Sequence, residues 1–320
     1  MIQENFNFAD NLLTSAFDGL KVSDVENTEA VNAMLDKYGL RWTVEKTPLM
    51  LPTGEPAGFY GVVRTDSKKC FATCKDSYTP FQNSELAELL IRIADKTGYE
   101  IHSGGGFNGG GKVYLQLNTG NEIKNIGKNK DSVIGYVTGI NGHDTTQALK
   151  WGAVNFTVYC RNTFAMANKA LQQSARHTES IHEKVEQSIK QILGISDAEK
   201  TIFEQFIKLA DIPAKKEHFA AIVKSIIDVD INLPKHEAEK QYSTHARNRT
   251  KELLTSIAAE TNSKGQSLWG LFSGVTHYTS HVLPVPKREN ARLESKYTGT
   301  GLSVDNTAFN QVMQFAGISL

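Results

Sequence analysis

Residues 99–117 run Tyr99-Glu100-Ile101-His102-Ser103, then Gly104-Gly105-Gly106-Phe107-Asn108-Gly109-Gly110-Gly111, then Lys112-Val113-Tyr114-Leu115-Gln116-Leu117. The two flanks alternate polar and apolar residues, which is the period of a half-buried strand. The glycine-rich link between them turns the chain back, so the stretch reads as a hairpin. Gly106 to Lys112 also has the G-x-x-x-x-G-K spacing of a phosphate-binding loop. That loop requires Ser or Thr next, and a helix behind it whose first amides hold phosphate. Val113 stands in the hydroxyl position and a strand pattern follows, so a nucleotide site is disfavoured. The glycines would still let backbone lie close to a phosphodiester chain, with Lys112 beside it.

Working outward, the same texture recurs. Trp42 to Val44, Gly58 to Arg64 and Cys70 to Cys74 are short β-branched and aromatic runs, the last two turned at Thr65 to Lys69. Val133 to Ile140 and Val154 to Cys160 add two more strands. Helical spacing appears at 28–38, through Val31, Met34, Leu35 and Tyr38. It returns at 84–97, through Leu86, Leu89, Leu90 and Ile93, with Asn83 or Ser84 as cap and Gly98 as stop. Beyond Asn162 the pattern predicts helices over about 162–174, 179–193, 197–210, 215–228, 236–260 and 267–282, then a mixed tail. Strands that come as hairpins, without alternating helices, argue against a doubly wound nucleotide-binding sheet. The expected fold is α+β, with antiparallel β-hairpins packed on helices in the first half and a mostly helical second half. The expected divisions are an acidic arm over 1–30, an α+β core over 31–178 and a helical region over 179–320.

The chain has 320 residues, with 35 Lys+Arg against 35 Asp+Glu and 40% apolar residues. That balance describes a folded chain and excludes intrinsic disorder. Three cysteines exclude a disulfide scaffold. No apolar run approaches a membrane span, and the polar, acidic start is unlike a signal peptide, so a cytoplasmic location is the expectation. Residues 1–20 show no clean hydrophobic period. Net charge zero conceals a split: residues 1–40 carry −5 and residues 101–178 carry +5. A basic middle segment suits an anionic partner.

The candidate sites within that middle differ in weight. Asn141-Gly142-His143-Asp144 supplies a turn and two ionisable groups that could serve acid/base or metal chemistry, although adjacent residues seldom hold one ion and a polar turn is the plainer reading. His277 and His281 lie four apart on an expected helix. The glutamate of a zinc-protease motif is missing, because Tyr278 follows His277. Cys160, next to Arg161, ends an apolar strand and reads as a buried thiol. Cys70 and Cys74 read as packing residues. Arg161, Asn162, Lys169, Arg176 and His177 lie in one strand-to-helix passage. At helical spacing Asn162, Ala165, Lys169, Gln172 and Arg176 form one stripe suited to phosphate contacts, or to a plain solvated face. Phe107, Tyr114, Tyr136, Trp151 and Tyr159 sit among the basic residues, where they could stack on bases or fill the core.

Five strings occur in order: Tyr78-Thr79-Pro80-Phe81-Gln82-Asn83; Gly104 to Tyr114; Asn141-Gly142-His143-Asp144; Tyr159-Cys160-Arg161-Asn162-Thr163; and Arg176-His177-Thr178. Together with Leu268-Trp269-Gly270 and Gly299 to Gly301, they resemble a large family of phage- and plasmid-encoded proteins of unknown function. The resemblance runs over roughly residues 35–315. Remotely, that family is similar to the Rad-fifty-two-like single-strand annealing recombinases. The resemblance implies strands packed on a helix, oligomeric rings and an outer basic groove for single-stranded DNA.

The expected function is therefore single-stranded DNA binding or annealing in recombination, by a homo-oligomer, without a cofactor, a metal or a membrane. Lys112, Arg161, Lys169 and Arg176, with Asn162 and His177 beside them, are the expected contacts. Lys150 and the Lys124, Lys128 and Lys130 cluster form the rim. Two alternatives stand beside it. One is a metal-dependent enzyme on nucleic acid using His143 and Asp144. The other is a phage protein that binds a host defence protein.

Overall fold

Leu86, Leu89, Leu90 and Ile93 fall on one face of helix α2 (Asn83–Thr97), and that face is buried against a β-sheet. In the computed structural model, which describes residues 27–157, 163–165, 172–185 and 195–318, this contact organises the first half of the chain. The backbone N–H of Gln82 donates to the Glu85 carboxylate, closing the helix start one residue before the expected cap. Gly98, at φ +75°, ends the helix. Helix α1 (Asn27–Lys37) packs on α2 and buries Met34 and Leu35.

Two sheets form. The smaller has the order β1 (Val44–Met50), β2 (Pro56–Arg64), β3 (Cys70–Cys74), all antiparallel. The larger has the order β4 (Glu100–Phe107), β5 (Lys112–Ile126), β6 (Asp131–Gly142), β7 (Leu149–Thr157), β8 (Thr163–Ala165), and β9 (Gln172–Ala175) also pairs with β7. Its register places Leu115 beside Gly139 and Gly139 beside Trp151. A Cβ on Gly139 would lie 2.8 Å from the Leu86 side chain, so this row faces α2 at close approach. The alternate row pairs Tyr114 with Ile140 and Gln116 with Thr138, and it faces the other way.

That second face is covered by the C-terminal helices. The described helices after the sheet are α3 (Ile195–Asp211), α4 (Lys216–Ile227), α5 (Lys235–Gln241), α6 (Thr244–Lys264), α7 (Leu268–His277), α8 (Ala291–Thr298) and α9 (Thr300–Phe315). Tyr297 of α8 stands 5.5 Å from the Tyr114 ring, and its hydroxyl accepts from Gln116 Nε2 at 3.3 Å. Phe206, Trp269, Phe272 and Phe309 form an aromatic cluster among α3, α7 and α9. Gly270 and Gly274 let α7 lie against α6, where any Cβ would run into the Gly265 carbonyl and Ile257. One buried apolar core contains residues from Ala30 to Met313 and so spans both halves. A buried ion pair, Lys264 with Asp131, joins the end of α6 to the β5–β6 hairpin, with Glu260 3.4 Å from the same ammonium.

The hairpins and the α+β class follow the sequence reading. Several boundaries do not. The helix expected over 162–174 is strand wherever it is described. Thr163–Ala165 pairs with Val154 to Phe156 and Gln172–Ala175 with Leu149 to Gly152, because the open edge of β7 satisfies their backbone groups and outweighs local helix preference. The polar helix expected over 236–260 is two helices, broken where Tyr242 takes an extended backbone and Ser243 caps α6. The helix after Ser267 changes to a π-turn over Tyr278–Val282. The tail is helical, as α8 and α9. Residues 181–185 are helical, within the stretch expected to be helix over 179–193.

Candidate nucleic-acid interface

Three of the strings singled out in the sequence meet at one buried node. Tyr78 donates from its hydroxyl to the Gly142 carbonyl at 3.2 Å. Asn141 donates from Nδ2 to the Phe81 carbonyl at 2.6 Å. The His177 ring lies against Tyr78, 5.1 Å between centroids, with Nδ1 3.2 Å from the Thr79 carbonyl. Because that acceptor is a carbonyl, Nδ1 carries the proton. Asn83 Nδ2 donates to the carbonyls of Leu40 and Trp42, which leaves Oδ1 to accept from His143 Nε2 at 2.9 Å. The motif residues 78–83, 141–143 and 177 are thus neighbours in space.

His143 is fully buried, edge-on to Trp42 at 5.2 Å. Burial pushes its pKa down to about 3, helped by His177 and Arg64. Asp144 points elsewhere. Its Oδ1 accepts from the backbone and hydroxyl of Thr146, and Oδ2 lies 3.7 Å from Lys112 Nζ. The two residues therefore do not converge on one reacting atom. His277 and His281 are ring neighbours at 4.9 Å, beside the π-turn. Among the described residues, no group of three or more His, Cys, Asp or Glu could hold a metal ion.

The glycine tip is fastened. Arg64 donates to the Gly109 carbonyl at 3.2 Å and Lys69 to the Asn108 carbonyl at 3.1 Å, while the Gly111 carbonyl accepts from the backbone N–H groups of His143 and Asp144. Glycine is needed where Gly110, at φ +97°, passes the Trp42 ring. Lys112 is occupied as well. Its Nζ lies 2.9 Å from Glu294 of α8, and Arg288 lies 2.5 Å from the same carboxylate. It ties the sheet to the C-terminal helices.

The other expected contacts divide into two ends of the sheet. Lys150 pairs in register with Ser174, and Arg176 follows two residues later, so Lys150 and Arg176 are diagonal neighbours on one side of the β7–β9 ladder. Arg176 is exposed and Lys150 half-buried, while His177 is buried next to them. Lys124, Lys128 and Lys130 are exposed on the β5–β6 hairpin, and Lys124 pairs with Glu122 at 3.0 Å. Nine residues of β6 separate that hairpin from the level of Lys150, roughly 30 Å at strand rise. Arg161, Asn162, Lys169, Cys160 and Tyr159 lie outside the described residues. Phe107, Tyr114, Tyr136 and Trp151 are buried core residues, which removes them as stacking platforms.

A family model, described as a domain of unknown function (DUF932), matches residues 71–298. The chain belongs to the DUF932 family. The match contains the whole six-stranded sheet and helices α2 to α8, and it begins after β1 and β2. No curated protein and no solved structure matches the chain. Among the described residues of this DUF932 chain, no helix is long and apolar enough to cross a membrane. Glu294 and Arg288 lie more than 170 residues from Lys112 and have no local pattern, so sequence reasoning misses them.

Proposed function

We propose that this DUF932 protein binds single-stranded DNA and holds it for pairing in recombination, acting as a homo-oligomer without covalent chemistry. The observation that carries the reading is the juxtaposition of Lys150 and Arg176 on the polar edge formed by β7 and β9. Both faces of the large sheet are covered by helices, so a strand of DNA would follow this edge and not a sheet face. Gln173 and Ser174 supply amide and hydroxyl groups along it, of the kind that contact phosphate and sugar. Arg161, Asn162 and Lys169, which follow β7 in the sequence, are proposed as further contacts, and the Lys124, Lys128 and Lys130 hairpin as the rim. Annealing requires backbones held and base edges left free, so contacts to phosphate suffice and no cofactor is needed.

Fluorescence anisotropy with labelled single-stranded and duplex oligonucleotides of mixed sequence tests it, at two salt concentrations. Sequence-tolerant binding that prefers single strands and weakens with salt is expected. Absence of binding at low salt, or binding unchanged by Arg161→Ala with Arg176→Ala, overturns it.

A further inference from the structure

Lys112 follows the glycine string Gly104 to Gly111, and a carboxylate already occupies its ammonium. Glu294 lies 2.9 Å from Lys112 Nζ through one oxygen and 2.5 Å from Arg288 through the other. Two cations thus converge on one carboxylate whose side chain is only 10% exposed. Asp144 lies 3.7 Å from the same ammonium. The four charges cancel. Without Glu294, Lys112 and Arg288 would outnumber Asp144 by one.

The same helix closes over an aromatic pair. Phe107 and Tyr114 are stacked, with ring centroids 5.1 Å apart and planes 10° apart. Tyr297 of α8 lies against both, at 6.3 and 5.5 Å. Lys112 and Tyr114 are two residues apart on β5, so they share a face at a spacing of roughly 7 Å. Glu294 and Tyr297 are three apart on α8 and share a face too. An anion and a ring on the helix therefore meet a cation and a stacked ring pair on the sheet. A nucleotide offers the same two groups, a phosphate for the cation and a flat base for the rings.

This contact is set apart from the rest of the fold. Phe107, Tyr114, Ile140 and Tyr297 form a buried cluster of their own, outside the main core. On its other side α8 is held to the helical half. Lys296 pairs with the buried Asp305 of α9, and Arg292 donates to the Leu283 carbonyl at 3.0 Å. When the contact with the sheet opens, α8 stays with those helices.

We propose that the glycine tip carries a second site for single-stranded nucleic acid, which α8 closes by setting Glu294 where a phosphate binds and Tyr297 where a base stacks. Opening frees Lys112 and Arg288 for one phosphate, and Phe107 and Tyr114 for its base. The site is not the β7–β9 edge, although the choice of ligand rests on the nucleic-acid reading of the function.

Anisotropy of a labelled single-stranded oligonucleotide, on the full chain, tests it. Glu294→Gln is expected to bind roughly tenfold tighter than the wild type at low salt, with a salt slope steeper by about 0.7, as for one more phosphate. Adding Lys112→Ala to Glu294→Gln is expected to remove the gain. Glu289→Gln, which takes a charge from the exposed residue after Arg288, is expected to give none. A folded Glu294→Gln without the gain overturns the proposal. So does a gain that survives Lys112→Ala or that Glu289→Gln reproduces. Displacement of the gained oligonucleotide by inorganic phosphate, at the same concentration of phosphate groups, would assign the site to free phosphate and refute the nucleic-acid ligand. If melting shows Glu294→Gln unfolded, hydrogen exchange on the wild type decides. Saturating oligonucleotide is expected to speed exchange over residues 291–298, and unchanged exchange there refutes the proposal. Wild-type binding with no gain in the variant leaves the β7–β9 reading standing and sinks this one. Binding by Glu294→Gln but not by the wild type does the reverse.

Discussion

His143 donates its Nε2 proton to Asn83 Oδ1 at 2.9 Å, in a site closed to water. The bond joins the turn after β6 to the first residue of α2, and it fixes the imidazole as a neutral tautomer. Burial has already disfavoured the charged form, holding its pKa down at about 3.

The stability should therefore fall in acid. Unfolded, His143 titrates near its ordinary value of about 6.5. As the pH drops below that value, protons bind the unfolded chain first and favour it. The histidine's contribution is complete above about 6.5 and is lost progressively as the pH falls toward its folded value, by about 2 kcal/mol at pH 5. His177, also lowered by burial, acts in the same direction. Thermal melting at pH 7 and pH 5 measures the loss. His143→Gln is expected to lower the midpoint at pH 7 and to flatten its dependence on pH. A variant with the wild-type slope would refute the role of this ring.

Asn83 carries more than one bond. Its amide also donates to the carbonyls of Leu40 and Trp42, which lead into β1. Asn83→Ala takes the amide donor from the Trp42 carbonyl and the acceptor from the imidazole N–H, and leaves the Leu40 carbonyl with the Trp42 N–H alone. The expected cost is about 2–4 kcal/mol, read as a lower urea midpoint with an unchanged slope. Asn83→Asp is expected to be no better, because a carboxylate replaces the donating amide opposite two carbonyls.

These two residues also show what the sequence can and cannot reveal. Alternation located β4, β5 and β6, and spacing located α2, because those signals are local. The same reading gave Asn83 to helix capping, since a cap is the local role for asparagine. Its actual partners are Leu40, Trp42 and His143, which only the tertiary fold brings near. The glycine neighbours of Lys112 suggest a phosphate contact, whereas its side chain is held by Glu294, which is 182 residues away. The stretch 162–174 shows the opposite failure. Ala165, Ala167, Lys169, Ala170 and Leu171 favour a helix locally, and the open edge of β7 claims the described residues on either side. Arg176 and Lys150 were found by charge alone, whereas their adjacency follows from strand register.

Lys264 anchors the β5–β6 hairpin from the end of α6, buried with Asp131 and Glu260. Asp131→Asn removes one charge of three and is expected to cost about 3–5 kcal/mol. Lys264→Met leaves two buried carboxylates without their cation, so it is expected to cost at least as much. Adding Asp131→Asn to Lys264→Met should recover part of that loss. Urea melts of the two single variants and the double one give the coupling. Additive losses would contradict the pairing.

The approach of α7 to α6 depends on the missing side chain at Gly274. A methyl there would enter the backbone of Ile257. Gly274→Ala improves helix preference yet is expected to destabilise by about 1–3 kcal/mol, because the two helices must separate. A thermal midpoint at or above the wild-type value would show that the helices give way more easily than their spacing implies.

The β7–β9 edge makes a quantitative claim on DNA binding. Each phosphate neutralised on a single strand adds about 0.7 to the salt slope of log affinity. Lys150→Ala with Arg176→Ala removes two cations, so the slope is expected to become shallower by about 1.4, with similar loss on all sequences. Lys124→Ala with Lys128→Ala and Lys130→Ala is expected to flatten it only for oligonucleotides long enough to span the roughly 30 Å between the two ends. Lys112→Ala is the informative contrast. Its ammonium is held by Glu294 and stands near Asp144, so its loss should lower the melting temperature and leave the salt slope unchanged. Should Lys112→Ala change the slope while the Lys150 and Arg176 pair does not, the DNA path runs over the glycine tip and not along the β7–β9 edge.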